Sequence, residues 1–283
     1  MDIRRKPEWL RISRSSVGSY QEVSSRLSTN SLHTICQSGR CPNQAECWSR
    51  GTATFMILGD ICTRNCRFCA TKTGHPLLPD KQEPEKLATT IGELNLRHVV
   101  LTSVTRDDLP DEGAEHWKQC ITVIRQANDV TIEVLLPDFN QREELLEKIA
   151  TAKPDIAGHN IETVARLTPQ VRSRATYEGS LKTLSILSSL GLTTKSGLML
   201  GLGETEDEVL TTLRDLREAG VTLLTLGQYL QPSRQHYPVA EYIPPKQFAW
   251  WKQTALDEGF EYVESGPLVR SSYHAEKALW HSN

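Results

Sequence analysis

From Thr52 to Tyr229, short apolar runs alternate with longer segments whose apolar residues recur every three or four positions. The short runs predict strands over 53–61, 98–104, 131–136, 155–160, 196–201 and 222–229. Several are apolar on consecutive residues, as in Phe55-Met56-Ile57-Leu58 and Val99-Val100-Leu101. Strands covered on both faces read this way. The longer segments predict helices over 84–94, 114–126, 141–150, 180–190 and 206–219. Pro84 suits a first helical turn. Gly191 and Gly220 stand just past two helix ends, where a left-handed cap favours glycine. Strand–helix alternation implies a parallel sheet with right-handed crossovers. An open six-strand barrel and a doubly wound sheet both satisfy that pattern.

Two stretches flank this α/β core. Residues 1–50 precede it, and residues 244–283, after Pro244-Pro245, predict a helix over 247–258 and a polar tail. Trp250, Trp251 and Tyr262 are expected to pack that helix. The chain of 283 residues suffices for one large core. A net charge of −3 offers no basic field for nucleic acid. No apolar run is long enough to cross a bilayer. The first residues are Arg-rich (Arg4, Arg5, Arg11, Arg14) but lack an apolar stretch. They read as a solvated arm rather than a targeting segment, and a cytoplasmic location is expected.

Six of the seven cysteines fall into two groups, Cys36-x4-Cys41-x5-Cys47 and Cys62-x3-Cys66-x2-Cys69. In a cytosolic chain, clustered cysteines favour metal binding or redox chemistry over disulfides. Each group offers three thiolates. On a cubane iron–sulfur cluster that leaves one iron for another ligand. Zinc is the plainer alternative for the second group, with His75 as a fourth donor. Cys120 stands apart in a helical pattern with Trp117, Ile121 and Ile124, and reads as a buried small hydrophobe.

The second group follows the first predicted strand, at the end where parallel barrels carry their sites. Its Cys-x3-Cys-x-aromatic-Cys pattern resembles the signature of the radical S-adenosylmethionine superfamily. That resemblance implies a partial (β/α)6 TIM-type barrel with N- and C-terminal extensions, placed at 51–243, 1–50 and 244–283. It implies that Cys62, Cys66 and Cys69 hold a 4Fe-4S cluster whose open iron is chelated by S-adenosyl-L-methionine. By the same resemblance Phe68 lies beside the adenine. Gly197-Leu198-Met199-Leu200-Gly201-Leu202-Gly203-Glu204 looks like the superfamily's adenine-side motif, giving Gly201 and Glu204 a cofactor role. Ser103 takes the position that usually meets the methionine amine.

The span from Ile35 to Ala275 is similar, within that superfamily, to the lipoyl synthase family. The likeness rests on Cys41-Pro42-Asn43, on the run from Gly51 to Gly59, on Arg106-Asp107-Asp108-Leu109, on Thr225 to Ser233 and on Gly266 to Tyr273. It implies a second, auxiliary 4Fe-4S cluster on Cys36, Cys41 and Cys47, with Ser272 as fourth ligand. A hydroxyl is a harder donor than thiolate, so that iron is the first to leave. Without the resemblance, Ser271 and Ser272 read as caps of a helix over 275–279. The implied reaction inserts sulfur at C6 and C8 of an octanoyl group on a carrier lysine. A 5′-deoxyadenosyl radical takes each hydrogen, and the auxiliary cluster gives the sulfur.

The implied partners are octanoylated lipoyl domains of 2-oxoacid dehydrogenase E2 subunits and the glycine cleavage H protein. A flavodoxin or ferredoxin-type electron donor and iron–sulfur carrier proteins complete the set, with no nucleic acid and no membrane. Two positions depart from the family pattern. Gln37-Ser38-Gly39-Arg40 replace an acidic residue and alanine, and Thr105 stands where aspartate is usual. His159, Asn160, Gln228, Tyr229 and Arg234 end strands on the site face, either as channel residues or as satisfied polar ends. A sulfur-inserting enzyme for a free small molecule, and a non-catalytic cluster or zinc carrier, are the rival readings.

Overall fold

The computed structural model describes residues 5–10, 25, 27, 30, 32–39, 41, 43–49 and 53–273. Most of the Arg-rich start and the helix expected over 275–279 lie outside them. The chain divides into two compact units. One comprises Ser13–Arg64 and Ala70–Ala157, the other Met1–Ile12, Asn65–Cys69 and Gly158–Asn283. They are called here the amino-proximal and carboxy-proximal units.

In the amino-proximal unit, β1 (His33–Thr34) pairs antiparallel with β2 (Thr54–Ile57), His33 opposite Met56. Two short strands, β3 (Ile61–Cys62) and β4 (Lys72–Thr73), pair with each other in parallel. β5 (His98–Ser103) and β6 (Thr131–Leu135) continue from β2 in parallel, with Thr54 opposite Val100 and His98 opposite Thr131. All four β2 residues are buried, which explains an apolar run without alternation. The helices are α1 (Ile35–Ser38), α2 (Gln44–Ser49), α3 (Glu83–Glu93), α4 (Ala114–Ala127) and α5 (Glu143–Ala150). α4 buries Trp117, Cys120, Ile121 and Ile124, one stripe at helical spacing. β7 (Ile156–Gly158) lies where the chain passes into the other unit.

In the carboxy-proximal unit, β8 (Thr194–Leu200), β9 (Leu223–Gln228) and β10 (Tyr262–Gly266) are parallel neighbours. α6 (Thr168–Val171), α7 (Tyr177–Ser189), α8 (Glu206–Glu218) and α9 (Pro245–Asp257) accompany them. Thr205 opens α8 with a capping box, its hydroxyl accepting from Glu208 N–H while Glu208 accepts from Thr205 N–H. Gly191 and Gly220 adopt φ of 77° and 85° past α7 and α8, as the cap reading required. β10 was not expected: only Val263 in it is deeply buried, so its sequence lacks an apolar run. Tyr262 opens this strand, which lies against α9, and donates to Glu264. Trp251 is buried as expected, but Trp250 is 47% exposed.

One junction sets where the chain leaves β2. Leu58 is buried in the left-handed region at φ 67°. Its N–H donates to Glu83 at 3.0 Å, and its carbonyl accepts from Arg106 Nη1 at 3.3 Å. Its side chain fills the space where a Cβ on Gly113 would fall, 2.6 Å from Leu58 Cδ1. Such a backbone state costs about 1–3 kcal/mol and persists only where its surroundings over-determine it.

Candidate active site

Cys62 ends β3 with its sulfur half-buried. The N–H groups of Arg64 and Thr105 both lie 3.4 Å from Cys62 Sγ. Amide donors on a ligating sulfur are a recognised control of cluster potential. The carbonyl of Thr105 in turn accepts from the N–H and hydroxyl of Thr63, at 3.1 and 3.0 Å. Thr105 makes both contacts through its backbone, not its side chain.

Arg64 anchors this first half of the cysteine loop. Its guanidinium meets Asp107 through Nε and Nη2, at 2.9 and 2.8 Å, and Asp138 through Nη1 at 2.8 Å. Burial opposes the Arg64 charge, but the two carboxylates raise its pKa above the ordinary value. Burial likewise resists ionisation of Asp107, yet Arg64, Thr63 and Asn140 hold its carboxyl below the usual range. Asn140 also donates to Glu112 at 3.0 Å. It is the middle of three successive left-handed residues, Phe139, Asn140 and Gln141, at φ 43°, 46° and 57°.

Residues Asn65–Cys69 belong to the carboxy-proximal unit. Arg67 N–H donates to the Val171 carbonyl at the end of α6, and its own carbonyl accepts from Tyr237 N–H, both at 2.8 Å. The Arg67 guanidinium lies over the Tyr237 ring, 5.1 Å from its centroid. Cys66 Sγ is 3.5 Å from Ser173 Oγ. The Cys69 carbonyl accepts from His236 Nε2 at 2.9 Å, and Ser233 Oγ lies 2.8 Å from His236 Nδ1. Phe68 packs, half-buried, against a core that includes Leu198, Leu226 and Tyr229. Cys62 is supported within the amino-proximal unit, and Cys66 and Cys69 within the carboxy-proximal unit. Ser173 and His236 carried no sequence signal, because nothing in their spacing ties them to the cysteines; Arg64 stands inside the cysteine loop, but nothing local pointed to its partners Asp107 and Asp138.

Ser103 ends β5 with a buried hydroxyl that has no hydrogen-bond partner among the described residues. An orphaned buried hydroxyl in a strand-end position suits a bound polar group. Glu204 accepts from the N–H groups of Gly201 and Leu202 at 2.5 and 2.9 Å. Its carboxylate shapes the turn after β8. Gly201 adopts φ 95°, and a Cβ there would lie 2.3 Å from both Gln228 Nε2 and the Glu241 carbonyl. Its freedom from a side chain is already required by the protein itself.

The first triad lies wholly in the amino-proximal unit. Thr34 caps α1, which carries Cys36; Cys41 N–H donates to the Cys36 carbonyl at 3.0 Å; Cys47 sits in α2. Burial raises the Cys36 thiol pKa, against hydrogen bonds from the Thr54 backbone, the Trp48 side chain and the Thr54 hydroxyl. Cys41 and Cys47 are half-buried. Three thiols, one of them with hydrogen-bond donors about it, are the kind of donor set an iron–sulfur cluster takes. In the other unit, Ser272 lies in a turn closed by Tyr273 N–H on the Arg270 carbonyl at 2.9 Å. Ser271 Oγ accepts from Asn160 Nδ2 at 2.8 Å.

The remaining polar strand ends are mostly internal. Gln228 donates to the carbonyls of Leu200, Tyr229 and Glu241 and accepts from Ile243 N–H. Tyr229 donates to the Tyr237 carbonyl, and His159 Nε2 lies 3.0 Å from Ser180 Oγ. These three are satisfied parts of the scaffold. Arg234 is exposed. Cys120 is buried as expected, its thiol pKa raised well above normal by burial and then by the charge of Glu83. Glu83, His116 and Cys120 bring their donor atoms within 4.8 Å of one another. There the carboxylate is already engaged by His116 at 2.6 Å and by Leu58 N–H.

A family model described as the Radical SAM superfamily matches residues 56–216. A lipoyl synthase of Bacteroides fragilis (strain YCH46) is 55% identical over 280 residues, covering 99% of this chain and 97% of the relative. One from Parabacteroides distasonis is 54% identical over 276 residues, covering 97% of this chain and 98% of the relative. The crystal structure of methylornithine synthase aligns with a TM-score of 0.58 at 13% identity, covering 86% of this chain and 81% of that one. That likeness shows the fold: α/β, of the partial-barrel type rather than doubly wound. Among the described residues, no helix is long and apolar enough to cross a membrane.

Proposed function

The chain belongs to the lipoyl synthase family of the Radical SAM superfamily, and from that premise we propose that it inserts two sulfur atoms, at C6 and C8, into octanoyl-lysine on lipoyl carrier domains. As a radical SAM sulfurtransferase it uses a 4Fe-4S cluster and S-adenosyl-L-methionine. In this reading Cys62, Cys66 and Cys69 hold that cluster, with Ser103 and Phe68 beside the cofactor. Cys36, Cys41, Cys47 and Ser272 hold the auxiliary cluster, which is consumed as the sulfur substrate. Bound at these positions, the two groups supply a radical able to take hydrogen from an unactivated carbon, and a sulfide to replace it.

What the chain's own residues do follows from their bonds. Arg64, held by Asp107 and Asp138, fixes the loop that presents Cys62. Thr105 and Arg64 offer amide donors to its sulfur. Glu204 sets the turn on which Gly201 stands. The observation that carries the reading is the attachment of the first triad: β1 pairs with β2, so Cys36 is fastened to the strand that leads into Cys62. The reading extends to the octanoylated E2 and H-protein carriers, a flavodoxin or ferredoxin-type donor, iron–sulfur carriers that rebuild the auxiliary cluster, and a cytoplasmic location.

The test is anaerobic. Protein reconstituted with iron and sulfide receives reductant, S-adenosylmethionine and an octanoyl-lysyl peptide. Mass spectrometry is expected to find 5′-deoxyadenosine and a peptide carrying two sulfurs. Deoxyadenosine without thiolated peptide would contradict the substrate. Neither product, from protein holding both clusters, would favour a cluster carrier.

A further inference from the structure

Two glycines on adjoining strands clear space at one end of the carboxy-proximal sheet. Gly197 in β8 sits opposite Thr225 of β9, and Gly227 in β9 opposite Met199 of β8. A Cβ on Gly197 would lie 2.7 Å from Asn160 Oδ1 and 2.8 Å from Thr225 Oγ1. A Cβ on Gly227 would lie 2.3 Å from the Val269 carbonyl oxygen and 3.1 Å from its carbon. Real Cβ atoms do not approach backbone as closely as one on Gly227 would, whereas on Gly197 the neighbours are the ends of two side chains. Neither glycine adopts a left-handed φ. Gly227 is required by the backbone that packs on it, and Gly197 leaves room for the Asn160 amide.

Two parts of the protein use that space. Over Gly227 the chain returning from β10 makes two consecutive turns, Val269 N–H on the Gly266 carbonyl and Tyr273 N–H on the Arg270 carbonyl. Arg270 Nη1 donates to the Val269 carbonyl at 2.6 Å. Over Gly197 stands the Asn160 amide, which donates to Ser271 Oγ at 2.8 Å, 111 residues on. One side chain thus joins the end of β7 to the serine segment.

We infer that Asn160, Gly197 and Gly227 form a seat that positions the segment Val269–Tyr273, and with it the hydroxyl of Ser272. They are positioning residues: Asn160 grips Ser271, and the glycines admit Asn160 and the Val269 carbonyl. The inference rests on the proposed role of Ser272 as a ligand of the auxiliary cluster. A serine ligand has no thiolate affinity to hold it, so its place must come from the surrounding fold. Groups that orient metal ligands change affinity or activity by about 10–100-fold when removed.

The experiment compares Asn160→Ala, Ser271→Ala, Ser271→Thr, Gly227→Ala and Ser272→Ala in full-length reconstituted protein. Thiolated peptide per deoxyadenosine and the Mössbauer spectrum of the auxiliary cluster are read together. Asn160→Ala, Ser271→Ala and Gly227→Ala are expected to lower that ratio about tenfold, with the spectral change seen in Ser272→Ala. Ser271→Thr, which keeps the hydroxyl, should retain both. If Ser272→Ala uncouples the reaction while Asn160→Ala and Ser271→Ala behave as the parent, the seat is overturned and the ligand stands. If Ser272→Ala itself is fully coupled, the ligand reading fails first. Should Gly227→Ala not fold, the two truncations decide the matter.

Discussion

The N–H of Thr105 points at the sulfur of Cys62, 3.4 Å away and 43 residues distant in sequence. Main chain, not side chain, makes this contact. Thr105→Asp and Thr105→Ala are therefore expected to keep deoxyadenosine formation within about twofold, since the ordinary effect of a neutral change is small. Thr105→Pro removes the donor. It should lower the potential of the radical SAM cluster in an EPR-monitored reductive titration and slow deoxyadenosine formation about tenfold. An unchanged potential in fully loaded Thr105→Pro protein would rule the contact out as a control.

Arg64 is 8% exposed and faces two carboxylates. Arg64→Met leaves Asp107 and Asp138 buried without their cation. Breaking such a set costs about 3–5 kcal/mol. Urea unfolding should show the loss, and iron bound at the second triad should fall with it. A midpoint equal to the parent's would contradict the anchoring role.

Much of this was readable from the sequence, and the failures share a cause. β2 and β5 were legible because strands buried on both faces leave continuous apolar runs. Helix ends were legible at Gly191 and Gly220, where only a left-handed cap fits. β10 was not, because it is largely polar and is held by pairing with β9. The cysteines declared themselves by spacing. Arg64–Asp138, Cys69–His236 and Asn160–Ser271 did not, because each joins distant stretches and has no local pattern. Gly201 was visible as a special position, but the reason is Gln228 and Glu241 rather than a ligand alone.

Gly201→Ala would drive a methyl into Gln228 and the Glu241 carbonyl. Overpacking of this kind costs about 1–3 kcal/mol, and a thermal melt should register it. Glu204→Ala frees the two turn amides it accepts from. It is expected to raise the KM for S-adenosylmethionine about tenfold with a smaller change in kcat, which steady-state kinetics of deoxyadenosine formation would show. Equal loss in kcat alone would assign Glu204 to the reaction rather than to the turn.

The two triads should fail differently. Cys62→Ala is expected to abolish deoxyadenosine formation. Cys41→Ala should keep part of it while making no thiolated product, as quantified by mass spectrometry of anaerobic single turnovers. Normal lipoyl formation by Cys41→Ala would remove the first triad from the sulfur pathway.

The central claim is that the first triad's cluster is the sulfur source, and isotope transfer tests it most directly. Protein reconstituted with heavy-isotope sulfide, then freed of excess sulfide, is given one turnover with octanoyl-lysyl peptide. The account predicts that both inserted sulfurs carry the label and that Cys41→Ala transfers none. Product bearing only unlabelled sulfur, from protein with both clusters intact, would contradict it.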